Sequence, residues 1–246
     1  LTDMGKGTYK GETGGLYGGG RNEPPEALAA AAKAEAEKVR LLDTDGKPSD
    51  KGRIVLLSLG MSNTSQAFTG FTRAAGGDAD IAASVLLVNG AQGGWTATRV
   101  ADPNQNGPFW STVDSRITAA GATPLQVEAV WLKEAESGPT DPFLVHAPAL
   151  QGRLSEIVRI IKVRYPNARQ LYVASRTYAG YASSTLNPEP WAYESGFSAK
   201  WLIEDQLGGD PSFNFNPARG IVEAPWMAWG PSLWADGLTP RGDGLI

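Results

Sequence analysis

Cysteine is absent from the 246 residues, which removes disulfides, thiolate metal ligands and cysteine nucleophiles together. Histidine occurs once, as His146, so a histidine-built metal site is excluded and no metal or organic cofactor is expected. The scarcity reaches catalysis too: a serine–histidine enzyme limited to these residues must use His146 as its base. No run of Lys or Arg stands out and the formal net charge is −4, which argues against a nucleic-acid partner. No apolar stretch approaches the roughly 20 residues that a membrane-spanning helix needs. The opening "LTDMGKGTYKGETGG" is polar and glycine-rich, unlike a signal peptide.

What is present is an ordinary globular composition, 41% hydrophobic and 20% charged, with enough length for a large core. Residues 1–24 hold many glycines and no periodicity, and are expected to form an extended N-terminal arm. Pro24 and Pro25 precede "EALAAAAKAEAEKVR", whose Ala, Glu and Lys content predicts a helix. "RIVLLSLG", "SVLLVNG", "QVEAVWLK" and "RQLYVAS" read as four strands. Their nearly continuous apolar character suits a sheet covered on both faces. Between them, "WSTVDSRITAAG", "LVHAPALQGRLSEIVRIIKVRYP" and "WAYESGFSAKWLIEDQLGG" read as helices. Strands and helices in alternation predict right-handed βαβ units and a parallel sheet. Residues 25–246 are therefore expected to form one α/β domain, a three-layer α/β/α sandwich. The Trp-, Pro- and Gly-rich tail from Ala224 onward reads as loop or short strand.

In such sheets ligands gather outside the carboxyl ends of the strands. Ser62, in Gly60-Met61-Ser62-Asn63-Thr64, falls at the end of the first strand and the start of a helix-like stretch. A helix N-terminus there offers amides and a positive dipole end to an oxyanion. The commoner role for Ser62 or Thr64 is to cap that helix. After the second strand comes Asn89-Gly90-Ala91-Gln92-Gly93-Gly94-Trp95-Thr96, whose glycines let backbone amides approach a ligand. On its own this is a glycine-rich turn, but two such turns after successive strands face one crevice. The third strand ends in Lys133, and "ASRTYAGYASSTLNPEP", with Arg176, Tyr178 and Tyr181, is long for a connection. Trp226, Trp229 and Trp234 are candidates for an aromatic wall, although buried packing is the usual use of Trp.

"GMSNT" resembles the first block of the SGNH (GDSL-like) hydrolases, in the GQSNM form of the sialate O-acetylesterase-like branch. "GAQGGWT" is similar to that branch's second block, "VWLKEAES" stands where it carries W-x-Q-G-E, and "ADGLTP" is similar to D-G-x-H-P. The resemblance implies a flavodoxin-like (SGNH) parallel sheet and a serine esterase acting on acetyl or other short acyl esters, with carbohydrate as the carrier. It makes Ser62 the nucleophile, with the N–H groups of Ser62, Gly93 and Gly94 as oxyanion donors. Asn63, Gln92, Trp95, Lys133, Arg176, Tyr178 and Trp234 become substrate-binding candidates. It also implies a small-molecule or carbohydrate ester as partner, and a bacterial protein that is periplasmic or secreted.

The departures are specific. Lys133, Glu134 and Ala135 stand in place of Gln, Gly and Glu, which removes the branch's side-chain oxyanion donor. Thr239 stands at the histidine position, and threonine is no general base near neutral pH. Asp236 and Asp243 are the acids of the tail, each in a turn-like setting. The family's Asp-x-x-His pair is accordingly expected beyond Ile246. His146, early in the helix after the third strand, is expected to be packed or solvated rather than catalytic. The rival expectation is a non-catalytic carbohydrate-binding or structural protein on the same scaffold. A nucleotide-binding domain is disfavoured because neither glycine turn, nor "YGGGRN", carries a phosphate-loop pattern.

Overall fold

The computed structural model describes residues 1–180 and 182–231. Tyr181 and the tail from 232, with Trp234, Asp236, Thr239 and Asp243, lie outside the described residues. A small antiparallel hairpin, β1 (Thr8–Tyr9) and β2 (Glu12–Thr13), sits in the N-terminal arm. The main sheet comprises β3 (Ile54–Gly60), β4 (Val85–Asn89), β5 (Val127–Lys133), β6 (Gln170–Val173) and β7 (Trp226–Trp229). Its order is β4-β3-β5-β6-β7, and every pairing is parallel. That is the flavodoxin-like order, in which the first main-sheet strand lies between the second and the third.

The four strands read from the sequence are all present, and β7 adds a fifth. The sequence of β7, "WMAW", lies in the Trp-, Pro- and Gly-rich tail that reads as loop or short strand. Only pairing with β6, through Gln170 to Val173, organises it as a strand. The helices are α1 (Glu26–Ala36), α2 (Ser62–Ala75), α3 (Ala97–Ala101), α4 (Gly107–Ala119), α5 (Phe143–Arg164) and α6 (Trp191–Leu207). Because βαβ crossovers are right-handed, the α2 crossover, which runs toward the β4 edge, covers one face. The α5 and α6 crossovers, which run toward β7, cover the other, and the result is an α/β/α sandwich.

The apolar strands fill the middle layer. Val55, Leu57 and Leu59 of β3 are buried, as are Val130 and Leu132 of β5 and Leu171 and Val173 of β6. On α5, Leu150, Leu154, Ile157 and Ile161 recur at helical spacing and are buried against this sheet. The arm does not lie loosely on the surface. Its Leu1 is buried with Phe143, Ala147 and Phe197, and the Lys200 ammonium donates to the carbonyls of Thr13 and Gly14.

The sheet order matters for function. The connections that leave the neighbouring strands β3 and β5, through α2 and α5, run over opposite faces, so their loops part above the carboxyl ends of these two strands. This switch point is where the fold leaves a crevice. Gly60 ends β3 directly beside Lys133 at the end of β5.

Candidate active site

Gly60 is the residue that makes the turn possible. Its φ is 150°, and an added Cβ would lie 2.1 Å from the Lys133 carbonyl oxygen and 2.4 Å from Thr64 Oγ1. Only glycine fits there. The chain can thus leave β3 tightly against β5 and enter α2 at once. The Thr64 hydroxyl donates to the Lys133 carbonyl at 2.6 Å, which pins the first turn of α2 to β5.

The capping role anticipated for Ser62 or Thr64 is not what the turn uses. Met61 occupies the cap position without a side-chain hydrogen bond, and Ser62 is the first helical residue. Thr64 spends its hydroxyl on β5, and Asn63 Oδ1 accepts from the Thr64 N–H at 2.9 Å. Ser62 is exposed, and its hydroxyl has no hydrogen bond among the described residues. Its amide belongs to the first turn, where helical N–H groups have no intrahelical acceptor.

The loop after β4 comes to the same place. The Gln92 N–H donates to the Gly60 carbonyl at 2.8 Å, drawing the loop onto the end of β3. A Cβ added to Gly93 would stand 3.6 Å from Ser62 Cβ, so the two glycine-lined turns meet. Gly93 and Gly94 are exposed, and neither amide donates to a backbone carbonyl among the described residues. Gly94 has a φ of 76°. Asn89 braces the assembly from below: its amide nitrogen donates to the Ser65 carbonyl at 3.0 Å, and its oxygen accepts from the Ser58 hydroxyl at 3.2 Å.

The remaining candidates separate. The Gln92 side chain donates to the carbonyls of Phe109 and Gly90, so it holds the loop's own structure. Trp95 packs on Phe109, with the Arg99 guanidinium 4.1 Å from its ring centre. Tyr178 is half-buried in the loop after β6. Tyr193, which also follows β6, turns away from the strand ends and packs against Tyr9 and Phe197. Trp226 is buried, and the Trp229 indole donates to the Leu16 carbonyl at 2.7 Å, so both serve packing.

His146 is not part of this constellation. It is buried, and its Nε2 lies 2.6 Å from Glu194, which also accepts from the Tyr9 hydroxyl and the Lys10 ammonium. Burial pushes against ionisation of Glu194. The hydrogen bonds from Lys10, His146 and Tyr9 outweigh it and hold the carboxyl below its ordinary range.

Thr177, Glu134 and Asn89 were not among the site candidates read from the sequence. Lys133 is buried, and its ammonium donates to the Thr177 hydroxyl at 2.6 Å. Burial, followed by repulsion from Arg176, lowers its pKa to about 8. Thr177 is therefore the residue that holds Lys133 in place. Glu134 is buried beside it, with one oxygen accepting the Ala135 N–H and the other without a partner. Burial raises its pKa well above the ordinary glutamate value. Asn89 is the third. The available signal was a pair of charged residues, Lys133 and Glu134, directly after the apolar run Ala129 to Leu132.

No family model matches the chain, and no curated protein matches it. Among solved structures, one similar chain is a carbohydrate esterase family 3 protein from Talaromyces cellulolyticus. It is 14% identical, with a TM-score of 0.40 over 78% of this chain and 87% of that one. A second, from Bacteroides fragilis and named provisionally as an acylhydrolase, is 12% identical. Its TM-score is 0.36 over 82% of this chain and 89% of the other. What the site can do rests on its own geometry.

Proposed function

We propose that the protein is a serine ester hydrolase of the SGNH type, nearest the sialate O-acetylesterase-like branch, acting on short acyl esters such as acetyl groups on carbohydrate. The observation that carries this reading is the meeting of the unbonded, exposed Ser62 hydroxyl with the Gly93 loop at the end of β3. Ser62 Oγ attacks the ester carbonyl carbon and gives its proton to a general base. The N–H groups of Ser62 and of Gly93 or Gly94 receive the negative charge that develops on the carbonyl oxygen. Collapse of the tetrahedral adduct expels the alcohol, which takes up the proton. Water then releases the acyl group from Ser62 as a carboxylic acid.

The resemblance gives the base as an Asp-x-x-His pair, which these 246 residues, with His146 as their single histidine, do not contain. No such role is assigned to His146, which is buried with Glu194 and Phe143 beneath the N-terminal arm.

The test is hydrolysis of 4-nitrophenyl acetate, with labelling by a serine-reactive fluorophosphonate. Ser62→Ala is expected to lower kcat by about 10,000-fold or more while leaving stability within about 0.5 kcal/mol. Retained turnover in that variant, or labelling at a serine other than Ser62, overturns the reading.

A further inference from the structure

A second cavity lies at the other end of the sheet. Its volume is about 250 Å³, slightly below the roughly 300–1,000 Å³ of drug-sized ligand sites, so it suits a small molecule. Glu35 of α1 and Lys38, just past its end, border it together with Lys162 from the last turn of α5. Arg169 leads into β6 and Trp226 opens β7. The cavity therefore sits at the amino ends of β6 and β7, whereas Ser62 follows the carboxyl end of β3.

Its two walls differ in chemistry. One is apolar, made by Phe215, Val222, Ala224, Pro225 and the buried Trp226. The other carries three cations, Lys38, Lys162 and Arg169, against one acid, Glu35. Glu35 is shared: the Lys38 ammonium lies 2.5 Å from one oxygen and Arg169 3.8 Å from the other. Lys162 has no ion pair among the described residues and donates to the carbonyls of Pro166 at 2.6 Å and Ala168 at 3.3 Å. Glu128, outside the lining, also acts on Arg169, but its carboxylate accepts the Arg40 N–H at 2.9 Å and feels the Arg40 charge as well. Lys38, Arg40, Lys162 and Arg169 thus stand against Glu35 and Glu128 alone. Burial pushes Glu128 up to about 7, so even this second acid is only partly ionised near neutral pH. Two buried donors of the lining, Arg169 Nε and the Trp226 indole nitrogen, have no acceptor, although buried polar groups are normally paired. The surplus charge is positive and the unanswered groups are donors, so the cavity is matched to an anion.

We propose that this cavity binds a small carboxylate with an apolar body, such as an aromatic acid, at a site separate from the candidate active site. The carboxylate meets the Lys38 and Lys162 ammonium groups and the Arg169 guanidinium, whose planar fork matches its two oxygens. The Arg169 side chain is 39% exposed, which leaves it open to an incoming anion. The body of the acid lies against Phe215, Val222 and Pro225, where its apolar surface leaves water. A bare phosphate would leave that wall uncovered, and a neutral arene would leave the cations unanswered. Nothing in this cavity involves Ser62, and binding there is independent of ester hydrolysis.

The test titrates benzoate into the protein by isothermal calorimetry, with a thermal-shift readout, since a ligand of the folded state raises Tm. One saturable site is expected, with benzyl alcohol and inorganic phosphate each binding about tenfold more weakly or worse. Arg169→Gln is expected to weaken benzoate about tenfold or more, whereas Arg169→Lys, which keeps the charge, retains most of the affinity. Val222→Trp fills the cavity from its half-buried wall and is expected to abolish binding in protein that circular dichroism reports as folded. It carries the test if Arg169→Gln does not fold. Ser62→Ala is expected to bind benzoate as wild type does. Absence of benzoate binding, or unchanged binding in Val222→Trp or in folded Arg169→Gln, overturns the site. So does loss of binding in Ser62→Ala, which would place the probe at the other end of the sheet. Benzyl alcohol or phosphate binding as tightly as benzoate overturns the stated ligand class.

Discussion

The molecule buries two charged clusters and treats them in opposite ways. Beneath the N-terminal arm, Glu194 accepts from Tyr9 and Lys10, each at 2.7 Å, and lies 2.6 Å from His146 Nε2. Phe143, Phe197 and Tyr9 pack in edge or stacked contact around it. At the carboxyl ends of β5 and β6, Lys133 and Arg176 donate only to neutral groups, and the buried Glu134, whose charge acts on Arg176, keeps one oxygen unpaired. A charge whose bonds are all made clamps structure together. One left unanswered at a strand end costs stability, and such cost is characteristic of sites that bind something. The lone histidine belongs to the first cluster, so its chemistry is structural.

The sharpest break in this comparison is Glu194→Ala. It strands His146, Lys10 and Tyr9 and is expected to cost about 3–5 kcal/mol in urea unfolding, as removing one partner of a buried pair does. A cost no larger than that of an average surface change would mean that the arm is not clamped. The carboxyl is held below its ordinary pKa of 4.5. Its stabilisation is therefore present above that pH and is lost as pH falls through the lower folded value.

Gly60→Ala comes next. A side chain at φ 150°, driven toward the Lys133 carbonyl, is expected to cost about 2–4 kcal/mol. It should also displace Ser62, seen as lost fluorophosphonate labelling in protein that circular dichroism still reports as folded.

Lys133→Met tests the other side. Deleting an unpaired buried cation should stabilise the protein by about 1–3 kcal/mol near pH 7, the opposite sign to Glu194→Ala. The Lys133 pKa is lowered from 10.5 to about 8, so the unfolded chain binds the extra proton between those values. The cost of the lysine is complete below about pH 8 and is relieved as pH rises toward 10.5. The advantage of the Met variant should shrink over that window. A constant difference, measured by denaturation at several pH values, would mean that burial of the ammonium is not its cause.

The smallest effect is expected from Thr177→Val. It removes the neutral partner of Lys133 and should cost about 1 kcal/mol, with a further fall in the lysine pKa detectable by NMR titration.

Much of this molecule was readable without coordinates. The continuous apolar runs of β3 and β5 and the Ala-rich pattern of α1 follow from burial and local propensity, which act over a few residues. Gly60, Gly93 and Ser62 were legible as two turns that meet at a strand end because glycine and helix-start chemistry are also local. β7 was left open between loop and short strand, because "WMAW" becomes a strand by pairing with β6. His146 was expected to be packed or solvated, and it is buried, but its partner Glu194, on another helix, was not legible.

The sequence by itself determined the layers, the parallel sheet and the turn that exposes Ser62, since each follows from short-range sterics and hydrophobic pattern. Only the tertiary structure decided which charges would be answered. Lys10, His146 and Glu194 converge from three distant segments, while among the described residues Lys133 donates to the Thr177 hydroxyl and Arg176 to the Leu186 carbonyl. Electrostatic compensation depends on distances between elements, and those exist only once the chain has packed.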